Sequence, residues 1–208
     1  MGTATKILIG FIALVVIAGL MVSSSYNRLV GLRQATDAQW AQVQNVYQRR
    51  ADLVPNLVST VAGAANFEKS TLLAVTEARA SVGRVQLPAA GAPTDPAQLA
   101  AFQQAQGQLG SALSRLLVVS EQYPDLKATA NFRDLQAQLE GTENRISVER
   151  GRFNEIVQSY DTAIQRFPTV ILAGMFHFTE RPYFAAVAGS DAAPKVQFDF
   201  NSPAPAKP

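Results

Sequence analysis

Apolar residues along this chain first form an unbroken block and then settle into a seven-residue beat. Residues 7–22 are apolar throughout apart from Gly10 and Gly19, and no charge occurs between Lys6 and Arg28. About 20 such residues cross a roughly 30 Å hydrocarbon core, a length reached once residues 23–26 are placed at the interface. The pattern predicts one N-terminal transmembrane anchor over residues 1–27, with Ile7, Phe11, Leu14, Val15, Ile17 and Leu20 among its lipid-facing residues. A cleaved signal peptide fits Lys6, the apolar run and the small residues Ser23 and Ser25 as well. Helical spacing carried onward through Tyr26, Leu29 and Val30 favours a retained anchor.

Beyond the anchor, Trp40, Tyr47, Val54 and Val61 fall seven apart, with Val43, Leu57 and Ala64 at the companion position. This is the signature of a helix with one buried seam. Pro55 lacks a backbone donor and crowds the preceding turn, which predicts a kink or a new helix near residues 51–55. Gly63 and Asn66 mark a second weak point before Leu72, Val75, Arg79 and Val82 resume helical spacing. Helices are expected over residues 26–65 and 67–84.

Residues 85–96 combine three prolines with glycine and alanine and predict a loop or hairpin tip that neither continues a helix nor builds a core. Asp95 and Pro96 suit a helix start. Phe102, Leu109, Leu116 and Tyr123 then repeat every seven residues beside Leu99 and Leu113, up to a stop at Pro124. The strongest run follows: Phe132, Leu139, Ile146, Phe153, Tyr160 and Phe167 fall seven apart without a miss, with Leu135, Ile156 and Ala163 filling much of the companion position. Asn131 and Asp134 are the expected caps of this fourth helix, and Pro168 its stop. At about 1.5 Å per residue, residues 131–167 make a rod of roughly 55 Å, close to that expected of residues 28–65. The fold class is all-α, a long antiparallel up-down bundle over residues 28–184 that follows a single transmembrane helix.

Four helices joined by short turns leave the membrane and return twice, which brings the end of the fourth near the bilayer. If the break near Asn66 is only a kink, the count is three and that end is distal. The segment there, residues 169–178, is too short to span and too apolar for a loose loop. Two readings fit it: an interfacial or subunit-contact segment offering Ile171, Leu172, Phe176, His177 and Phe178, or a short helix capping the bundle core. Residues 185–208 form an alanine- and proline-rich tail. Within it, Val196, Phe198 and Phe200 alternate with polar residues, which fits either a short strand on the edge of a neighbouring subunit or, in a monomer, a disordered tail with incidental aromatics.

Composition narrows the chemistry. The 208 residues carry 18 basic and 16 acidic side chains, a net charge of +2 that gives no reason to expect nucleic acid. Cysteine is absent, which excludes disulfides, thiolate metal sites and a cysteine nucleophile. One histidine, His177, lies between phenylalanines and cannot by itself anchor a zinc site or a triad. The motifs of metalloproteases, phosphate-binding loops and serine hydrolases are missing, and no cofactor is expected. Glu140, Glu143 and Glu149 could be imagined as paired carboxylates, but no substrate-binding pattern accompanies them.

Polar residues on the seam are the more informative constellation. Extending the two registers puts Arg50 on the first helix seam and Thr142 and Glu149 on the fourth. A buried charge persists only when paired. Arg50, with Arg49 and Asp52 beside it, is expected to meet Glu143 or Glu149 across the helices, supported by Asn144, Arg145 and Asn154. Such pairs fix register more than they stabilise.

Several segments resemble the bacterial LemA family in content and order: Tyr26-Asn27, Trp40, RRADLVPNLV at 49–58, TEAR at 76–79, EQYPDLKA at 121–128, NF at 131–132, LEGTENRI at 139–146 and Phe153-Asn154. The resemblance runs over about residues 7–184 and implies one N-terminal membrane helix followed by a long antiparallel bundle, in agreement with the heptads. It implies little chemistry. A relative in magnetosome formation is linked to membrane invagination, and some members are encoded near membrane proteases.

The function expected is that of a non-enzymatic scaffold in the bacterial inner membrane, single-pass, that self-associates and organises or shapes the bilayer. The alternative is an accessory or sensing subunit of a membrane protease or signalling complex. The expected partners are the lipid bilayer, further copies of the chain, and a membrane protease or other membrane protein.

Overall fold

A computed structural model describes residues 2–63 and 68–186. Among them are six helices and no strand: α1 (Thr3–Ala62), α2 (Lys69–Val82), α3 (Pro96–Ser120), α4 (Pro124–Ala128), α5 (Ala130–Gln165) and α6 (Thr169–Met175). Ala64, Asn66 and the tail residues Val196, Phe198 and Phe200 lie outside the described residues.

The frame is the pairing of α1 with α5. Trp40 meets Phe153 with ring centroids 5.6 Å apart, and Arg50 meets Glu143 at 2.8 Å. Ten residues forward on α1 thus match ten residues back on α5. The same offset pairs Leu29 with Ile164, Tyr47 with Ile146, Val54 with Leu139 and Val61 with Phe132, each pair within one apolar cluster. One antiparallel register therefore holds from Leu29 to Val61, and the seven-residue beat of both helices follows from it.

Three apolar clusters succeed one another along this axis. The first joins Leu29 to Tyr160, Ile164 and Phe178. The second surrounds Trp40 with Phe102, Phe153 and Phe184. The third, farthest from the N-terminus, adds Val75 of α2 and Leu109, Leu113 and Leu116 of α3 to Val54, Leu57 and Val61. At the far end the bundle has four helices. Around Trp40 an extended strap over residues 177–186 packs beside α1, α3 and α5, and around Leu29 α6 and Phe178 take the place of α2 and α3.

Three local features differ from the sequence reading, and of the two alternatives at Pro55 the new helix start is excluded. Helix α1 continues through Pro55 without a new start. Proline withholds the donor that Ala51 C=O would receive, and Arg79 Nε of α2 donates to that carbonyl at 2.9 Å. The cap of α5 is Thr129, whose hydroxyl accepts from Phe132 N at 3.4 Å, because the short α4 moves the helix start ahead of Asn131 and Asp134. Phe167, last of the heptad aromatics, is 82% exposed, since α5 ends at Gln165. The 85–96 loop contributes Ala92 to the core around Trp40. It is held there by Asp37, whose Oδ1 accepts from Ala92 N at 2.9 Å. The turn depends on Gly91 at φ 78°, where an added Cβ would lie 2.9 Å from that same oxygen.

Arg79→Ala should lower stability in the native chain and have little effect in a Pro55→Ala background, where a backbone N–H replaces the guanidinium. A double-mutant cycle by chemical denaturation should return a coupling of about 1 kcal/mol. A coupling near zero would show that water serves the Ala51 carbonyl as well as Arg79 does.

Candidate functional site

The α1–α5 register brings polar side chains together at two levels, each lying between apolar clusters. At the outer level Arg50 is buried, its side chain 4% exposed, while that of Glu143 is 45% exposed. Arg50 Nη1 donates to Glu143 Oε1 at 2.8 Å, and Nη2 donates to the Gln106 carbonyl at 3.1 Å and to the Gln106 side-chain oxygen. Its guanidinium also stacks 5.1 Å from the Tyr47 ring centroid. Thr142, buried beside this layer, turns its hydroxyl back to Gln138 C=O at 2.7 Å. One guanidinium thereby ties α1, α3 and α5 together.

The other residues expected around Arg50 are elsewhere. Glu149 accepts from Gln39 Nε2 at 2.6 Å and from Arg152 at 2.9 Å. It lies six residues from Glu143, about 9 Å along the helix and beyond the reach of Arg50. Arg49, Asn144 and Arg145 are exposed, and Asp52 accepts from Gln48 at 2.7 Å on the surface. Asn154 grips the strap: its Nδ2 donates to Phe184 C=O at 3.0 Å and its Oδ1 accepts from Phe184 N at 2.9 Å. That amide imitates a peptide unit and holds the Phe184 ring against Trp40 and Phe153.

The inner polar level was invisible in the heptad pattern. Here Arg181 of the strap lies 3.6 Å from Asp37 Oδ1, donates to Ala92 C=O, and offers its backbone N–H to Asp161 Oδ1 at 3.1 Å. Tyr160 Oη donates to Thr179 C=O at 3.0 Å. Loop, strap and both long helices meet at this point. Burial pushes the Asp161 carboxyl above its usual value, opposed by the Arg181 N–H and the Tyr183 hydroxyl. Tyr183 is pushed up to about 12, first by burial and then by the Asp161 charge.

His177 is exposed and takes a left-handed backbone conformation, φ 56°, just past α6. Phe178 N then donates to Ala173 C=O at 2.9 Å, the closing bond of a helix-ending turn. The residue thus turns the chain from α6 into the strap. No group of three or more metal-ligating side chains occurs among the described residues. Of the apolar residues around it, Leu172 and Phe178 are buried in the bundle, while Ile171 and Phe176 are exposed. At the other end of the chain, Ile7, Phe11, Leu14, Val15, Ile17 and Leu20 are each more than half exposed, on a helix long and apolar enough to cross a membrane by length and composition.

A LemA family model matches residues 39–198, a span that takes in the whole Arg50 layer and most of the Arg181 layer. The chain belongs to the LemA family. It is 26% identical over 187 residues to Magnetosome protein MamQ 2 of Paramagnetospirillum magneticum, covering 80% of this chain and 66% of that protein. Magnetosome protein MamQ of Magnetospirillum gryphiswaldense is 28% identical over 180 residues, 76% of this chain and 64% of that protein. Protein LemA of Metamycoplasma hominis is 26% identical over 131 residues, 63% and 55% of the two chains. The LemA-family chain thus spans no more than about two thirds of the length of these relatives. The membership, together with the exposed apolar helix, suggests a membrane-associated protein.

Glu143→Ala should cost about 2 kcal/mol in denaturation, less than the 3–5 of a fully buried pair because Glu143 is half in water. Arg50→Met should change stability by less than that, since the carboxylate it frees can hydrate.

At Asp161 the raised folded-state pKa means that the native state holds the proton more tightly than the unfolded chain. Its stabilising contribution is therefore full below the ordinary value of 3.8 and is lost as pH rises through the raised value. Asp161→Asn keeps the acceptor for Arg181 N and should flatten that falling limb, measured as the denaturation midpoint against pH.

Proposed function

We propose that this LemA-family chain is a non-enzymatic, single-pass scaffold of the bacterial inner membrane that self-associates and organises or shapes the bilayer. The observation that carries the reading is the continuity of α1. Its 60 residues run from the exposed apolar end into the seam against α5 without interruption. At about 1.5 Å per residue this is a rod of roughly 90 Å. Anchor and bundle thus share one continuous helix, so neighbouring bundles packed side by side would impose an angle on their anchors. The polar levels support a structural role, because their side chains are spent on joining helices, loop and strap. Two of the relatives are named as magnetosome proteins, in keeping with the resemblance, noted in the sequence, to a relative linked to membrane invagination.

Full-length protein extracted in mild detergent should scatter light as a homo-oligomer, and its expression should alter cell membranes in electron tomograms. A monomer that leaves membranes unchanged would sink the scaffold. A stoichiometric membrane enzyme co-purifying with a monomer would favour an accessory subunit instead.

A further inference from the structure

Where α1 leaves the bundle, the surface changes character. Phe167, Val170, Ile171, Met175 and Phe176 are exposed by 82%, 44%, 55%, 66% and 46%, all on or beside α6. The Phe176 ring centroid lies 4.8 Å from that of Tyr26, itself 38% exposed. The opposite side of α6 is seated firmly: Ala173 packs with Leu29, Tyr160 and Ile164, and Leu172 is buried. The exposed face is therefore held in place by the bundle rather than loosely attached.

Its height relative to the anchor follows from the register. Continuing the offset that pairs Leu29 with Ile164 brings the end of α5 to the level of Arg28, and Phe167, two residues past that end, to the level of Tyr26, four residues or about 6 Å beyond Val22. The apolar run of residues 7–22 is only about 24 Å long, short of a roughly 30 Å hydrocarbon core. A bilayer that accepts this run must reach past Val22 toward Tyr26, the depth at which α6 displays its aromatic and aliphatic face. Tyr26, Phe167 and Phe176 then stand where aromatic belts form. Just beyond them, Arg28 and Arg166 line a shallow groove with Ser159 and Thr162, at the height of lipid phosphates.

We infer that α6 and its two ends form a membrane foot, an apolar face that enters the interfacial region of the same bilayer that receives residues 7–22. The inference rests on the anchor reading given under Proposed function. The occupant of this face is lipid rather than a second copy of the chain, because the anchor already holds it at the bilayer surface and no further encounter is needed. Arg28 and Arg166 add attraction to phosphate on that side. The foot lies in one leaflet only, on the α6 side of the anchor, so each chain adds area to that leaflet asymmetrically.

The chain lacks cysteine, which permits single labels at chosen depths. Full-length Leu14→Cys, Ile171→Cys, Met175→Cys and Val118→Cys would each carry one nitroxide in vesicles of mixed zwitterionic and anionic phospholipid. Collision with oxygen and with a water-soluble nickel chelate is then compared by power saturation. Labels at 171 and 175 should favour oxygen, at a depth of about 5–10 Å below the headgroups and shallower than the label at 14. The label at 118, on a residue 69% exposed at the far end of the bundle, should favour nickel. Labels at 171 and 175 as open to nickel as that at 118, with the label at 14 in lipid, would overturn the foot and leave the anchor standing. A water-exposed label at 14 would instead overturn the anchor. Labels at 171 and 175 shielded from both oxygen and nickel, with dipolar broadening that disappears on dilution with unlabelled protein, would mean that a second copy covers the face, and would also overturn the inference.

Discussion

The single register between α1 and α5 is the constraint on which the rest of the molecule depends. It aligns apolar side chains into three clusters and leaves two levels between them where polar groups face each other. At the outer level, a slip of one helical turn, about 5 Å, would carry Arg50 away from Glu143 and strand a buried guanidinium. Apolar surfaces alone tolerate a slip by a whole heptad, about 10 Å, since one heptad presents much the same face as the next. The charged layer removes the degeneracy, at little gain in net stability.

Everything else is attached to that frame at polar joints. Gln106 binds α3 through Arg50, Arg79 ties α2 to the carbonyl that Pro55 leaves free, and Asp37 fixes the 85–96 loop. Arg181 then couples loop and strap, and Asn154 secures the strap farther on. Apart from the Gln106 carbonyl, which lies inside α3, each joint satisfies a backbone group that the main helices cannot serve. The proline in α1 is thus part of the α1–α2 contact, because the missing hydrogen bond creates the acceptor that Arg79 uses.

The parts of this arrangement that could be read from sequence are those governed by repetition. Phe132, Leu139, Ile146, Phe153 and Tyr160 are buried on one seam of α5, and Trp40, Tyr47, Val54 and Val61 on one seam of α1. What escaped periodic reasoning involves partners without periodicity. Asp37, Asp161 and Arg181 meet because an extended segment returns along the bundle, and no spacing rule announces such a return. Asn154 is a polar residue near the seam, yet its partner is strap backbone. Glu149 shared a face with Arg50 in projection but differs from Glu143 in height, a coordinate that a heptad wheel discards. The short α4 shifted the cap to Thr129, and the same kind of end effect released Phe167 from the core.

Height also links the buried charge to the proposed membrane foot. The depth of α6 relative to the anchor is not chosen by lipid; it is set by how far α5 extends along α1, and α6 is clamped at that point by Leu29, Tyr160 and Ile164. A displacement of α5 by one heptad, about 10 Å, would move the exposed face of α6 either clear of the interface or into the hydrocarbon. In both cases Tyr26 would lose its Phe176 contact. The interaction that excludes such a displacement is the Arg50–Glu143 layer, more than 20 residues farther along α1. In the proposed foot, a charge pair with one buried member, Arg50, would therefore govern which residues stand at the membrane surface from far along the bundle.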